Sequence, residues 1–263
     1  MTLTFKHFLI ACPLVFLAGY VDALAGGGGL ISLPAYLLAG LPTHFAIATN
    51  KLSSFMGTSL ATYRYARKGY IKGRIMLLFV LFAYLGSTLG ASCAVKLNEH
   101  TFRIILLVVL PLTAAFVLLK KDALAAKEHY TELKTGLIGS AVALTVGFYD
   151  GIYGPGAGTF MILLLTALAH MTLERANGSA KLINLTTNVA ALTVYLINGK
   201  VLIPLGLAAG AFNMLGAYLG TRSFDKSKAG MAKPVILTVL GIFLIKTVLE
   251  LTGVWFIWFP PAA

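Results

Sequence analysis

Charge is scarce in this chain. Only 11% of its residues are Asp, Glu, Lys or Arg, where a soluble domain has about a quarter. That is too little to coat a surface in contact with water, so a water-soluble globule is excluded. Acidic residues are rarer still, nine against 21 Lys and Arg, for a net charge of +12. The basic residues fall in short clusters between long apolar runs, which suits membrane-flanking loops and excludes a nucleic-acid-binding surface. Cysteine occurs twice, as Cys12 and Cys93, both in apolar stretches without metal-ligand spacing. A disulfide scaffold and a cysteine metal site are therefore set aside, and both residues read as small packing groups. The five histidines show no i, i+4 pairing, no catalytic constellation is apparent, and there is no phosphate-binding loop. An enzyme, a bound cofactor and an ATP motor all lack support.

What the chain has in abundance is apolar sequence, 58% of residues with a mean hydropathy of +0.86. Apolar stretches fall near 8–25, 28–41, 45–66, 74–95, 103–120, 136–154, 157–170, 176–197, 201–222 and 233–250. A helix rises 1.5 Å per residue, so crossing about 30 Å of hydrocarbon takes about 20 residues. Most stretches meet that length; 28–41 and 157–170 are too short. Backbone groups in lipid must be satisfied internally, so the expected fold is all-α, a polytopic helical membrane protein. Leu9-Ile10-Ala11-Cys12 looks like a lipobox, but only Phe8 to Ala11 precede the cysteine and the run continues to Ala25. The segment reads as a retained first span. Trp255, Phe256 and Trp258 suit an interfacial aromatic belt.

The chain repeats itself. A shift of 130 places Ala46, Lys51, Leu52, Ala61, Tyr65 and Gly69 on Ala176, Lys181, Leu182, Ala191, Tyr195 and Gly199, and Gly86 and Gly90 on Gly216 and Gly220. Upstream, a shift of 128 to 129 places Gly19 and Asp22 on Gly147 and Asp150, and the run Gly26–Gly29 on Gly154–Gly158. The expected organisation is a first membrane repeat over 1–120, a basic cytoplasmic linker over 121–134 and a second repeat over 135–263, with about five segments in each. If all five cross, the second repeat is inverted. The charges favour this: loop 64–74 is richer in Lys and Arg than its mate 198–203, whereas 222–233 is richer than its mate 96–103. The positive-inside rule then puts 64–74, 120–134 and 222–233 in the cytoplasm. If the short segments re-enter instead, each half has four spans and the repeats are parallel.

Paired short or glycine-interrupted segments at matching places in two halves point to a transporter site with discontinuous helices. Gly27, Gly28 and Gly29, and Gly156 and Gly158, lie at such breaks, where a restarting helix can aim free N–H groups at an anion. Gly86/Gly90 and Gly216/Gly220 read as helix-packing pairs. Lys51 and Lys181 follow small polar stretches and lie inside long spans, where a charge costs several kcal/mol unless paired or hydrated. Together with Asn50, Thr49, Ser179 and Asn184 they form an environment suited to an anion. Asn188 follows Asn184 at i+4 and either lines the same pocket or bonds a neighbouring helix. Asp22 and Asp150 stand at matching span ends, for a structural role or for proton coupling. Lys246 and Glu250 read as a structural pair.

The stretch Gly19-Tyr20-Val21-Asp22-Ala23-Leu24-Ala25-Gly26-Gly27-Gly28-Gly29-Leu30-Ile31-Ser32-Leu33-Pro34, followed by Ala48-Thr49-Asn50-Lys51-Leu52, resembles the sulfite exporter TauE/SafE family. In the second half, Asp150-Gly151-Ile152-Tyr153-Gly154-Pro155-Gly156 and Ser179-Ala180-Lys181-Leu182-Ile183-Asn184 are similar to its YfcA-like branch. The resemblance covers nearly the whole chain. It implies a multi-pass inner-membrane permease for sulfur-containing anions such as sulfite, sulfoacetate or related organosulfonates, often outward. Its expected partners are the lipid bilayer, a small anionic substrate and a coupling proton, with homo-oligomerisation open. An anion channel, or a permease for a carboxylate or another small metabolite, is the alternative.

Overall fold

The computed structural model describes residues 3–98, 100–102, 104, 108, 112 and 130–223. The expected segments 103–120 and 233–250, most of the linker, the aromatic cluster at 255–258 and the Lys246–Glu250 pair lie outside that description. The secondary structure among the described residues is helical. The first half holds α1 (Phe5–Ala25), α2 (Gly29–Leu38), α3 (Thr43–Arg67) and α4 (Ile75–Ala94). The second holds α5 (Glu132–Ile152), α6 (Ala157–Ala167), α7 (Leu173–Ile197) and α8 (Ile203–Arg222). Paired in order, the helices have 21 and 21, 10 and 11, 25 and 25, and 20 and 20 residues, so the sequence repeat is also a repeat of structure.

Five helices, α1, α4, α5, α7 and α8, are long and apolar enough to cross a membrane. The helix α3 has the length but not the apolarity, because Lys51, Arg64 and Arg67 and a run of Ser, Thr and Asn occupy it. Its polar face is turned inward: Thr49, Asn50, Lys51, Ser53, Thr58 and Thr62 are all buried. Large apolar side chains on α4 and α8, such as Leu77, Leu89, Ile203 and Leu215, face outward instead. This inversion of the soluble-protein pattern is what a lipid solvent requires. Cys12 is buried, but Cys93 is exposed on α4, a correction to its reading as a packing residue.

Glycines set the closest helix contacts. A Cβ on Gly86 or Gly90 would collide with the Leu144 or Phe148 carbonyl, so α4 and α5 lie backbone to backbone. Gly216 and Gly220 meet the Phe16 and Tyr20 carbonyls in the same way, and α8 lies on α1. In both pairs residue numbers rise together, so the partners are parallel. The helix α8 also packs along α3, with Gly206 at Leu52 and Gly210 at Met56, while α4 packs along α7. The two halves are therefore interlocked. One bundle is α1, α3 and α8, the other α5, α7 and α4, and each takes helices from both repeats. Between the bundles α3 crosses α7: Asn188 donates to Thr58 at 3.4 Å and Thr62 to the Lys181 carbonyl at 3.0 Å, so one helix rises as the other descends.

One end of the molecule gathers basic residues from both halves. Lys68 donates to the Thr221 carbonyl, Arg64 stacks on Tyr218, and Arg175 pairs with Glu132 at 3.3 Å. Loop 68–74, the start of α5 and the end of α8 thus share one face.

Candidate functional site

The site begins with two helix breaks. The helix α1 ends at Gly26, whose φ of +74° is left-handed. A side chain there would also strike the other half, since an added Cβ would lie 2.5 Å from the Gly158 carbonyl carbon. Gly156, the N-cap of α6, has a φ of +80°. Such angles are costly for residues with a Cβ. The breaks of the two repeats pack against each other, with Gly29 facing Pro155 and Gly158 facing Gly26. Two short helices therefore start side by side inside the protein, with Leu30 and Ile31 donating back to the Gly27 and Gly28 carbonyls and Ala157 to the Gly154 carbonyl.

Around these starts lies a cavity lined by Asp22, Gly26, Gly28, Gly29, Ser32, Asn50, Lys51, Ser54, Thr58, Asp150, Gly154, Gly158, Asn184, Asn188, Asn213 and Ala18. It leaves about 30 Å³, enough for two or three waters at about 10–15 Å³ each. At its middle Asn188 of α7 bonds Thr58 of α3, and these two residues are themselves repeat mates. Asn188 also donates to Asn184 Oδ1 at 3.2 Å, and Ser54 donates to Asn50 Oδ1 at 3.4 Å. Asn50 and Asn184 thus line the cavity with their amide oxygens engaged as acceptors. Both alternatives for Asn188 hold at once, since it lines the cavity and bonds α3.

The charged residues are paired crosswise. Lys51 of the first half meets Asp150 of the second at 3.0 Å, with side chains only 2% and 4% exposed. Lys181 of the second half meets Asp22 of the first at 2.7 Å and also donates to the Asp22 backbone carbonyl. Neither ammonium reaches toward headgroups. Each lysine lies about seven residues, or about 10 Å of helix, from the Thr58–Asn188 contact, on opposite sides of it. The two ammonium groups therefore stand in separate ion pairs rather than side by side. Matching hydroxyl bonds brace the carboxylate helices: Tyr65 donates to the Ala23 carbonyl at 2.8 Å and its mate Tyr195 to the Gly151 carbonyl at 3.2 Å.

Of the residues singled out in the sequence, Asn50, Lys51, Asn184, Gly28, Gly29, Gly158, Asp22 and Asp150 line the cavity. Lys181, Thr49, Ser179, Gly27 and Gly156 do not. Thr49 accepts the Leu202 N–H at the start of α8, and Ser179 points its hydroxyl at the Met76 sulfur, so both serve packing between helices. The sequence reading passed over Ser32, Ser54, Thr58 and Asn213. Asn213 is the instructive omission. Its Oδ1 would stand 2.8 Å from a Cβ on Gly19, and its side chain likewise fills the space beside Gly57. Two glycines on different helices make room for one asparagine, a signal visible only once the helices are packed. Among the described residues no group of His, Cys, Asp and Glu is arranged to hold a metal.

Comparison with known proteins adds an independent line. The sulfite exporter TauE/SafE family matches residues 11–247. A probable membrane transporter protein (ORF9) of Sinorhizobium is 33% identical over 243 residues, 92% of this chain and 93% of that protein. A probable membrane transporter protein of Haemophilus influenzae is 31% identical over 89% of this chain and 92% of its own length. The probable membrane transporter protein YfcA of Escherichia coli is 31% identical over 95% and 96%. No solved structure matches.

Proposed function

Given that the chain belongs to the sulfite exporter TauE/SafE family, a family of multi-pass bacterial inner-membrane proteins, we propose that it is a secondary transporter that exports small sulfur-containing anions such as sulfite, sulfoacetate or other organosulfonates. The observation that carries this reading is the donor set of the buried cavity. The Lys51 ammonium, the Asn50 and Asn184 amides and the backbone at Gly28, Gly29 and Gly158 converge on one small space. Sulfite and sulfonate oxygens are acceptors only, so each donor has a use. Gly28, Gly29 and Gly158 let backbone N–H groups approach the cargo, with the positive ends of two helices adding to the field. In this reading Lys181 acts through Asp22, holding that carboxylate away from the anion.

The same proposal takes the repeats as inverted. Its support is that α3 and α7, equivalent helices, run antiparallel, and that loop 68–74, the start of α5 and the end of α8 share one face. Alternating access then follows as tilting of the interlocked α1–α3–α8 and α5–α7–α4 bundles about the cavity. Opening toward one side loosens one ion pair while the other still holds.

Two measurements test this. Proteoliposomes carrying purified protein should take up or release labelled sulfite or sulfoacetate, and Lys51→Gln should abolish this while the variant remains folded; unchanged flux rejects the site. For the topology, cysteines placed singly at Lys72 and Lys200 in a background lacking Cys12 and Cys93 should react with an impermeant thiol reagent from opposite membrane faces. Labelling from the same face rejects inversion.

A further inference from the structure

The cavity poses an electrostatic problem that its own residues answer. Its fixed charges cancel: Lys51 is neutralised by Asp150, and Asp22 by Lys181. An anion entering this space would leave one uncompensated negative charge in a low-dielectric interior, at a large desolvation cost. The Asp150 carboxylate shows how the charge is met. Its Oδ1 takes Lys51, while its Oδ2 is buried and has no hydrogen-bond partner among the described residues. The residue is 3% exposed and lines the cavity. A buried carboxylate oxygen without a donor is costly to keep charged.

Resting on the anion reading above, we infer that Asp150 takes up one proton at Oδ2 each time an anion enters, releasing Lys51 to the anion, so that cargo and proton travel together. The proton comes from water on the open side and forms an O–H bond; no other bond is made or broken. A singly charged anion plus the proton leaves the site as neutral as before. On release to the other side the anion departs, Lys51 returns to Asp150, and its positive charge expels the proton.

Among the described residues, a lysine and tyrosines are the titratable groups that surround Asp150. From α3 it faces Lys51, and α4 brings the Ser87 backbone to the adjoining Gly151. The lead-in to α6 contributes Gly154, and α7 contributes Tyr195, whose hydroxyl is committed to the Gly151 carbonyl. On α5 itself, the Tyr149 hydroxyl donates to the Pro155 carbonyl, and Tyr153 is a buried phenol. Across the cavity lies Asp22, held by Lys181 through two of its oxygens. The Asp22 side chain is 16% exposed where that of Asp150 is 4%, so the repeat mates differ in their access to water.

The test is calorimetric binding of methanesulfonate and thiosulfate to the full-length protein in lipid nanodiscs, in two buffers of different ionisation enthalpy at one pH. These anions take no proton near neutrality, so any proton absorbed goes to the protein. The expected result is about one proton per methanesulfonate bound, with affinity falling about tenfold per pH unit above the transition. Asp150→Asn should bring the proton count and the pH slope to near zero, and Glu132→Gln, at the exposed Arg175 pair outside the cavity, should leave both in place. Anion binding without proton uptake in the wild type overturns the inference, whatever the variants do. So does a proton count that survives in Asp150→Asn or disappears in Glu132→Gln. If neither anion binds, the anion reading itself fails and this inference falls with it.

Discussion

The two lysine–aspartate pairs are the same residues at the same repeat positions, yet they are built differently. Lys181 is gripped twice, by the Asp22 carboxylate and by the Asp22 backbone carbonyl, and the carboxylate is 16% exposed. Lys51 has the Asp150 carboxylate at 3.0 Å, no equivalent bond to the Asp150 carbonyl among the described residues, and almost complete burial. Burial raises the stakes of a pair, because removing one partner strands the other without water. A second grip lowers its freedom to change partners. The difference teaches that an internal repeat supplies matching chemistry, and small departures from symmetry then divide the work between a fixed brace and a movable one.

The comparison can be broken most directly at the carboxylates. Asp150→Ala leaves Lys51 buried and unpaired, and should destabilise the folded protein by about 3–5 kcal/mol, read as a fall in thermal unfolding temperature in detergent. Asp22→Ala should cost clearly less, because Lys181 keeps the backbone carbonyl and its site admits some solvent. Equal losses would erase the distinction. The double variant Lys51→Met/Asp150→Leu should recover most of the stability while losing anion binding, separating the structural need for charge balance from the functional need for charge.

Next in size is ligand recognition. Lys51→Gln removes a charge-assisted contact worth about 1.5–3 kcal/mol, and should weaken methanesulfonate binding by one to two orders of magnitude in calorimetric titration. Lys181→Gln should weaken it far less; an equal loss would return both lysines to one shared site. The glycine breaks offer a comparison within the same fold. Gly26→Ala and Gly158→Ala each press a Cβ into the other break and should cost about 1–3 kcal/mol by overpacking, measured by thermal unfolding. The smallest effect is expected from the tyrosines. Tyr65→Phe and Tyr195→Phe each delete a buried hydroxyl bond to a backbone carbonyl, worth about 1 kcal/mol. Here the halves should behave alike, with unequal shifts extending the asymmetry beyond the ion pairs.

Much of the site was legible because polar residues are conspicuous in an apolar chain. Lys51 and Lys181, Asp22 and Asp150, and the two glycine runs stand out by cost alone, and the repeat register joined them into pairs. Which lysine meets which aspartate was not legible, since a repeat states equivalence and is silent on contact. The hydroxyls of Ser54 and Thr58 carried no clear signal. Ser and Thr inside helices commonly bond their own backbone, as Thr58 does with the Ser54 carbonyl at 2.7 Å, and such residues read as neutral filler. Asn213 was invisible because its repeat mate is Ala83, so no symmetry flagged it. How the two repeats meet was not legible either: α4 and α8 each pack on the other repeat.

The sequence by itself determined the solvent, the helical class and the duplication, because scarce charge, long apolar runs and a fixed register depend only on composition and order. It also determined which side chains would be expensive to bury. Tertiary structure alone decided how those costs were met: crosswise pairing of the lysines, the seating of Asn213 between two glycines, and one aspartate oxygen left without a partner. These are relations between helices more than a hundred residues apart in the chain, and only packing brings such groups within the few ångströms over which hydrogen bonds and close ion pairs act.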